Sequence, residues 1–247
     1  MKPIYINKRP LKFSELDMNQ TLDYQTYKDK MNGLQEKLRF LVFEANTQKR
    51  PILIVFEGWD AAGKGGSIRR LTQDIDPRLY EVHNIAAPTA EEKAHNYLWR
   101  FWNRIPKRGH LGILDRSHYG RVLVERVEGF ATQDEWSRAY SEICLFEEQL
   151  HAFGTIIIKF WLHISKEEQL VRFDARKNDP LKRWKLTEED YRNREKWALY
   201  EKAAEEMFLR TDRPIAPWIL IQANDKYFTR KTVLETTVNL LEKNLKK

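Results

Sequence analysis

Cysteine is almost absent. Cys144 is the single one among 247 residues, which excludes a disulfide framework and points to a reducing, cytoplasmic setting. Long apolar runs are missing too: nothing approaches the roughly 18 uncharged residues of a membrane span. The first ten residues, MKPIYINKRP, lack the apolar stretch of a signal peptide. There is no internal repeat and no low-complexity tract, and the six histidines have no metal-ligand spacing. Secreted, membrane-bound and collagen-like classes are therefore excluded.

Core-forming residues and charge are both plentiful. Apolar residues make up 42% and charged ones 32%, enough for a core and too ordered a mixture for a disordered chain. The net charge is +7, and it is unevenly placed. Residues Trp99–Arg126 hold seven basic side chains against two acidic ones, and Arg176–Lys185 hold five against one. The remainder is slightly acidic. Two local basic runs point to an anionic partner.

Five β-rich runs stand out: Pro51–Glu57, Glu81–Ala86, Leu111–Asp115, Thr155–Leu162 and Trp218–Gln222. The first, third and fifth are almost continuously apolar, as in strands buried on both faces of a parallel sheet. Between them the patterning predicts helices over Tyr24–Asn46, Thr89–Arg104, Asp134–Phe153, Ser165–Lys177, Glu188–Arg210 and Thr229–Lys246. Thr89 with Glu92, Ser165 with Glu168 and, more weakly, Thr187 with Asp190 are spaced as capping boxes. Such alternation predicts a doubly wound α/β fold with a parallel five-stranded sheet. Lys177–Lys185, with its proline and dense cations, reads as the tip of a helical hairpin, a lid spanning residues 170–196 of one domain covering 1–247.

The chemistry starts at Gly58-Trp-Asp-Ala-Ala-Gly63-Lys64, directly after a buried strand and before a helix. It matches the first seven positions of the phosphate loop G-x-x-x-x-G-K-[ST] in the required context. Backbone N–H groups of Gly58, Ala61, Ala62, Gly63, Gly65 and Gly66 can curl inward around a phosphate, with Lys64 and the helix N-terminus adding positive potential. Gly65 stands where a Ser or Thr hydroxyl would ligate Mg²⁺. Asp60 lies inside the loop, where an anion is tolerable chiefly if a cation separates it from phosphate. Asp115 closes the third strand, at the ligand-facing end of such a sheet. Asp60 and Asp115 could thus share one Mg²⁺ in place of the missing hydroxyl. Arg116 and Arg121 follow, planar donors suited to phosphoryl groups.

Together these residues resemble a known family. Glu57–Gly66, Asp115–Arg121 (Asp-Arg-Ser-His-Tyr-Gly-Arg) and Asp179–Lys185 (Asp-Pro-Leu-Lys-Arg-Trp-Lys) are similar to the phosphate loop, Walker B segment and lid of polyphosphate kinase 2, from about Tyr24 to the C-terminus. The resemblance implies a P-loop kinase of the thymidylate-kinase-like kind. It would move phosphoryl groups reversibly between inorganic polyphosphate and nucleotides with Mg²⁺, or Mn²⁺ as substitute. It implies metal ligation by Asp60 and Asp115 and catalytic contacts from Lys64, Arg116 and Arg121. Arg176, Lys182, Arg183 and Lys185 would grip polyphosphate, and a homo-oligomer, dimer or tetramer, is expected. His118 stands where many members have Trp. The loop, Tyr97–Trp102 and Gly120–Gly129 are most similar to the branch that phosphorylates AMP, many of whose members carry two fused copies of the domain. Nucleoside diphosphate acceptors are the alternative within the family. An ATP-dependent nucleoside or nucleotide monophosphate kinase is the nearest rival, since Asp115-Arg-Ser suits that superfamily too. A nucleic-acid-binding module would leave Asp60 and Asp115 unexplained.

Overall fold

The computed structural model describes Ile4–Tyr5 and residues 13–186 and 188–245. The Lys185 side chain, Thr187 and Lys246 lie outside the described residues, and with them one predicted phosphate contact, one predicted helix cap and the predicted end of the last helix.

Among the described residues six strands form one sheet: β1 (Ile4–Tyr5), β2 (Ile52–Gly58), β3 (Tyr80–Asn84), β4 (Leu111–Asp115), β5 (Ile156–His163) and β6 (Trp218–Gln222), in the order β1-β6-β5-β2-β4-β3. The five expected strands are all parallel. The short β1 adds an antiparallel edge that no pattern announced, because two residues carry no periodicity. β2 lies central, with Phe56 in register with both Phe160 and Asp115. Its residues 52–57 are all buried, as continuous Ile, Leu, Val and Phe predict for a strand covered on both faces. β3, at the edge, is half-exposed and mixed in polarity.

Two helical layers cover the sheet. α1 (Tyr24–Thr47), α2 (Lys64–Thr72) and α10 (Lys226–Leu245) pack together on one face. α5 (Val124–Val127), α6 (Gln133–Ala152) and α9 (Trp197–Thr211) pack together over the other. The chain leaves β2 towards β3 and β4 on one side and returns to β5 and β6 on the other. This makes the carboxyl end of β2 the switch point at which ligands bind in open α/β sheets.

Two predicted helices are each divided. The Thr89 capping box forms as expected, but its helix stops as α3 (Ala90–Ala94), and α4 (Trp99–Trp102) restarts separately. Asn96 causes the break: its side chain accepts from Leu98 N at 2.9 Å and its carbonyl from Trp99 N at 2.8 Å, a local turn competing with helix. Glu188–Arg210 likewise divides into α8 (Glu188–Glu195) and α9 at Lys196, whose ψ of 21° leaves the helical range. Ser165 caps α7 (Lys166–Lys177) by accepting from Glu168 N, but the box is half-made. Glu168 turns to Arg172, and Asn224 accepts from Ser165 N at 2.9 Å in its place.

Candidate functional site

The loop after β2 is held in a shape only its residues allow. Gly58 has φ 131°, and a Cβ there would lie 2.3 Å from Leu162 O, a backbone atom that cannot yield. Gly63, at φ 103°, caps α2 without any side-chain bond, so first-turn N–H groups of that helix remain free for an anion. Lys64 folds back across the loop, its Nζ donating to Gly58 O at 2.8 Å and Trp59 O at 3.1 Å. Ala61 is left-handed at φ 61°. A Cβ costs about 1 kcal/mol in that region, so Ala61→Gly is expected to raise stability by up to about 1 kcal/mol in urea titration. An unchanged or lower midpoint would mean the loop bears no strain there.

Helix α7 supplies an outer clamp. From α7, Arg172 is nearly buried and donates to Ala61 O at 2.9 Å, Ala223 O at 2.7 Å and Asn224 O at 2.6 Å, tying the loop to the end of β6. Gln169 donates to Asp60 O at 3.0 Å. Trp59 stacks on Trp197 with ring centroids 3.7 Å apart, and its indole N–H donates to His163 Nδ1 at 3.2 Å. None of these partners was legible as a site residue in the sequence. Arg172 in particular is one arginine among many on a charged helix.

The carboxylates gather at the strand ends. Asp60 Oδ1 accepts from Arg116 at 3.0 Å and Oδ2 from Asn193 at 3.2 Å. Burial works against its charge, but Lys64, Arg116 and the Asn193 bond prevail and hold the carboxyl below the usual aspartate range. Glu57 is the opposite case. Burial raises its carboxyl despite the Ser117 hydroxyl at 2.7 Å and the nearby Lys64 and Arg116. Asp115 lies beside α2: a Cβ added to Gly65 would be 4.0 Å from its Oδ2. The residue lacking the expected hydroxyl thus faces a carboxylate. Arg116 then turns at φ 63°, its N–H donating to Phe56 O at 3.0 Å, a left-handed residue of the kind that clusters at working sites.

Two cavities flank the loop. One, of about 80 Å³, is lined by Glu57, Trp59, Asp60, Arg116, Asn193 and Tyr200. The other, of about 350 Å³, is lined by Ala61, Ala62, Gly63 and Gly66 and by Arg172, Arg176 and Lys182. Arg183 is exposed and donates to Lys177 O at 3.1 Å. Arg121 is turned elsewhere. It pairs with Glu125 at 3.1 Å, approaches Glu135 at 3.9 Å and covers the Tyr97 ring at 4.6 Å, and it lines neither cavity. His118 is buried among Phe101, Phe146 and Tyr119 and lines neither cavity.

The donor set suits a hard divalent cation. Among the described residues no three His, Cys, Asp or Glu side chains converge as a cage. Mg²⁺ needs none, since it takes one or two carboxylates and completes its octahedron with phosphate oxygens and water. Asp60 accepts one bond per oxygen, leaving half its lone-pair capacity. Asp115 stands where the P-loop hydroxyl is missing.

Residues 21–247 match the sequence model of the family Polyphosphate kinase 2. A polyphosphate:AMP phosphotransferase of Pseudomonas aeruginosa is 51% identical over 94% of this chain and 47% of its own length. The chain spans about half the length of the curated relatives it matches first. A crystal structure from Pseudomonas aeruginosa PA01 shares 51% identity and superposes with TM-score 0.92, covering 95% of this chain and 50% of that one. A polyphosphate kinase 2 of Arthrobacter aurescens TC1, at 31% identity, superposes with TM-score 0.91 over 98% of this chain and 88% of that one.

Proposed function

Since this chain belongs to the polyphosphate kinase 2 family, we propose that it transfers the terminal phosphoryl group of inorganic polyphosphate to a nucleotide, with AMP the preferred acceptor. The observation that carries the reading is the loop's two-sided setting. A cleft lined by cations and by no acid lies on one side, and the Asp60–Arg116 pair on the other. A polyanionic donor suits the first. The 51% identity to the Pseudomonas polyphosphate:AMP phosphotransferase supports AMP as acceptor.

The chemistry asks little of general bases. An acceptor phosphate oxygen, ionised at neutral pH, attacks the terminal phosphorus of the donor. The anhydride P–O bond to the rest of the chain breaks, and a polyphosphate one unit shorter leaves. One anhydride replaces another, so the reaction is readily reversed. Lys64 and Arg116 neutralise charge on the transferring group, the free N–H groups of α2 hold its oxygens, and catalysis is positioning plus electrostatics. Asp60 and Asp115 would hold Mg²⁺, or Mn²⁺ in its place, which supplies further charge neutralisation when bound. Arg172, Gln169 and Asn193, reaching from α7 and α8 to the loop, close the site against water. The buried thiol of Cys144 supports a reducing, cytoplasmic setting. No helix among the described residues is long and apolar enough to cross a membrane.

Purified protein supplied with AMP and either long-chain polyphosphate or ATP separates the donors by chromatographic ADP formation. Turnover with polyphosphate at least about tenfold above that with ATP is expected, and AMP should exceed ADP in kcat/KM. Preference for ATP would overturn the donor, and preference for ADP the acceptor.

A further inference from the structure

The cationic cleft has a wall that neither the loop nor the lid supplies. We propose that Lys226 and Arg230, on the first turns of α10, form a subsite for the distal phosphoryl units of the donor, distinguishing long polyphosphate from short oligomers. The proposal rests on polyphosphate being the donor, as argued above.

Positions 226 and 230 are one helical turn apart and share a face. That turn is well anchored. Asp225 Oδ1 accepts from Phe228 N at 2.6 Å, and Thr229 Oγ1 donates to Asp225 O at 2.6 Å. Both cations line the 350 Å³ cleft with Gly66, Arg172, Arg176 and Lys182, and no acidic residue lines it. Arg230 comes close to the helix after the loop: a Cβ on Gly66 would meet its Nη2 at 3.4 Å.

Most other cations here are already engaged. Arg172 serves loop carbonyls and Glu168, and Lys182 pairs with Asp179. Among the described residues Arg176, Lys226 and Arg230 form no ion pair, whereas the neighbouring Lys231 has Glu235 at 2.6 Å. Desolvation at the cleft and the charges of Arg172, Arg230 and Lys182 act against the ammonium of the otherwise exposed Lys226, and only Glu168 acts for it. Like charges held together without internal partners are what a bound polyanion would relieve. Asp60, Asp115 and Arg116 do not line the cleft. Units bound there belong to the unreacted tail.

The test is Lys226→Gln with Arg230→Gln, assayed with tripolyphosphate and with long-chain polyphosphate. Losing two part-exposed charge contacts should raise KM for the long donor about tenfold. KM for tripolyphosphate, KM for the nucleotide and kcat should stay within about twofold. The slope of log KM against log salt should flatten by about one to two for the long donor only. Lys226→Arg with Arg230→Lys should restore long-donor KM. Equal shifts for both donors, or none, would overturn the subsite. Calorimetric Kd values for the same two polyanions give an answer independent of turnover. A wild-type protein that binds long polyphosphate no tighter than the double variant defeats the subsite. A wild-type protein that turns over neither donor defeats the proposed function as well.

Discussion

Asp115→Asn is expected to lower kcat by roughly 10²–10³-fold while leaving the fold intact. Asparagine keeps the shape of the side chain at the end of β4 and removes only its charge. That charge faces Gly65, where the phosphate-loop pattern would supply a hydroxyl and this chain supplies none. No nearby group can replace it, since Asp60 is already the other proposed ligand and Glu57 is held by Ser117. Two measurements check the assignment. One is turnover against Mg²⁺ concentration, and the other is Mn²⁺ affinity read by electron paramagnetic resonance in the presence of a phosphate oligomer. Both should weaken together. A variant with full turnover and unaltered Mn²⁺ affinity would remove Asp115 from the metal site.

The second large effect concerns stability. Lys159, in the middle of β5, is fully buried, and its ammonium donates to Tyr119 OH at 2.8 Å, Glu147 at 2.9 Å and Thr211 O at 3.0 Å. Lys159→Met fits the apolar surroundings but strands the Glu147 carboxylate, only 1% exposed, with the Tyr119 hydroxyl and, at 3.5 Å, the His118 ring. Leaving one member of a buried pair uncompensated costs about 3–5 kcal/mol, which for a chain of this size lowers Tm by roughly 10 °C. Replacing both, as Lys159→Met with Glu147→Met, should recover most of the loss, because the pair's mutual attraction offsets its own desolvation. Calorimetric melting of the single and double variants checks this. A double variant no more stable than the single one would show that Tyr119 and Thr211 carry the effect. Tyr119 lies in the segment that starts at Asp115, so this network also seats the carboxyl end of β4.

Much of the architecture is legible residue by residue. β-rich runs located all five parallel strands within a residue or two, and the three almost continuously apolar ones are β2, β4 and β6, since a strand buried on both faces must be written that way. The Thr89 capping box and the Gly58–Lys64 loop were legible for the same reason: their bonding partners are only a few residues away. Patterning failed where a turn inside an otherwise helical stretch depended on one side chain, as at Asn96, or where the strand was too short to have a period, as in β1. Lys159 interrupted an apolar run without revealing that it would be buried and paired.

What the sequence determined by itself is a loop of phosphate-binding pattern directly after a buried strand of a parallel sheet, with a glycine where a hydroxyl is usual and an acid inside the loop. Those features follow from local sterics and from burial, which adjacent residues encode. The tertiary structure decided which side chains meet that loop. Asn193 reaches Asp60 across 133 positions and Arg172 reaches Ala61 across 111, while Arg121, much nearer in sequence to Asp115, turns to Glu125 and Tyr97. A long charged side chain takes whichever partner the packed helices bring within reach, and that choice is made by packing across the whole molecule.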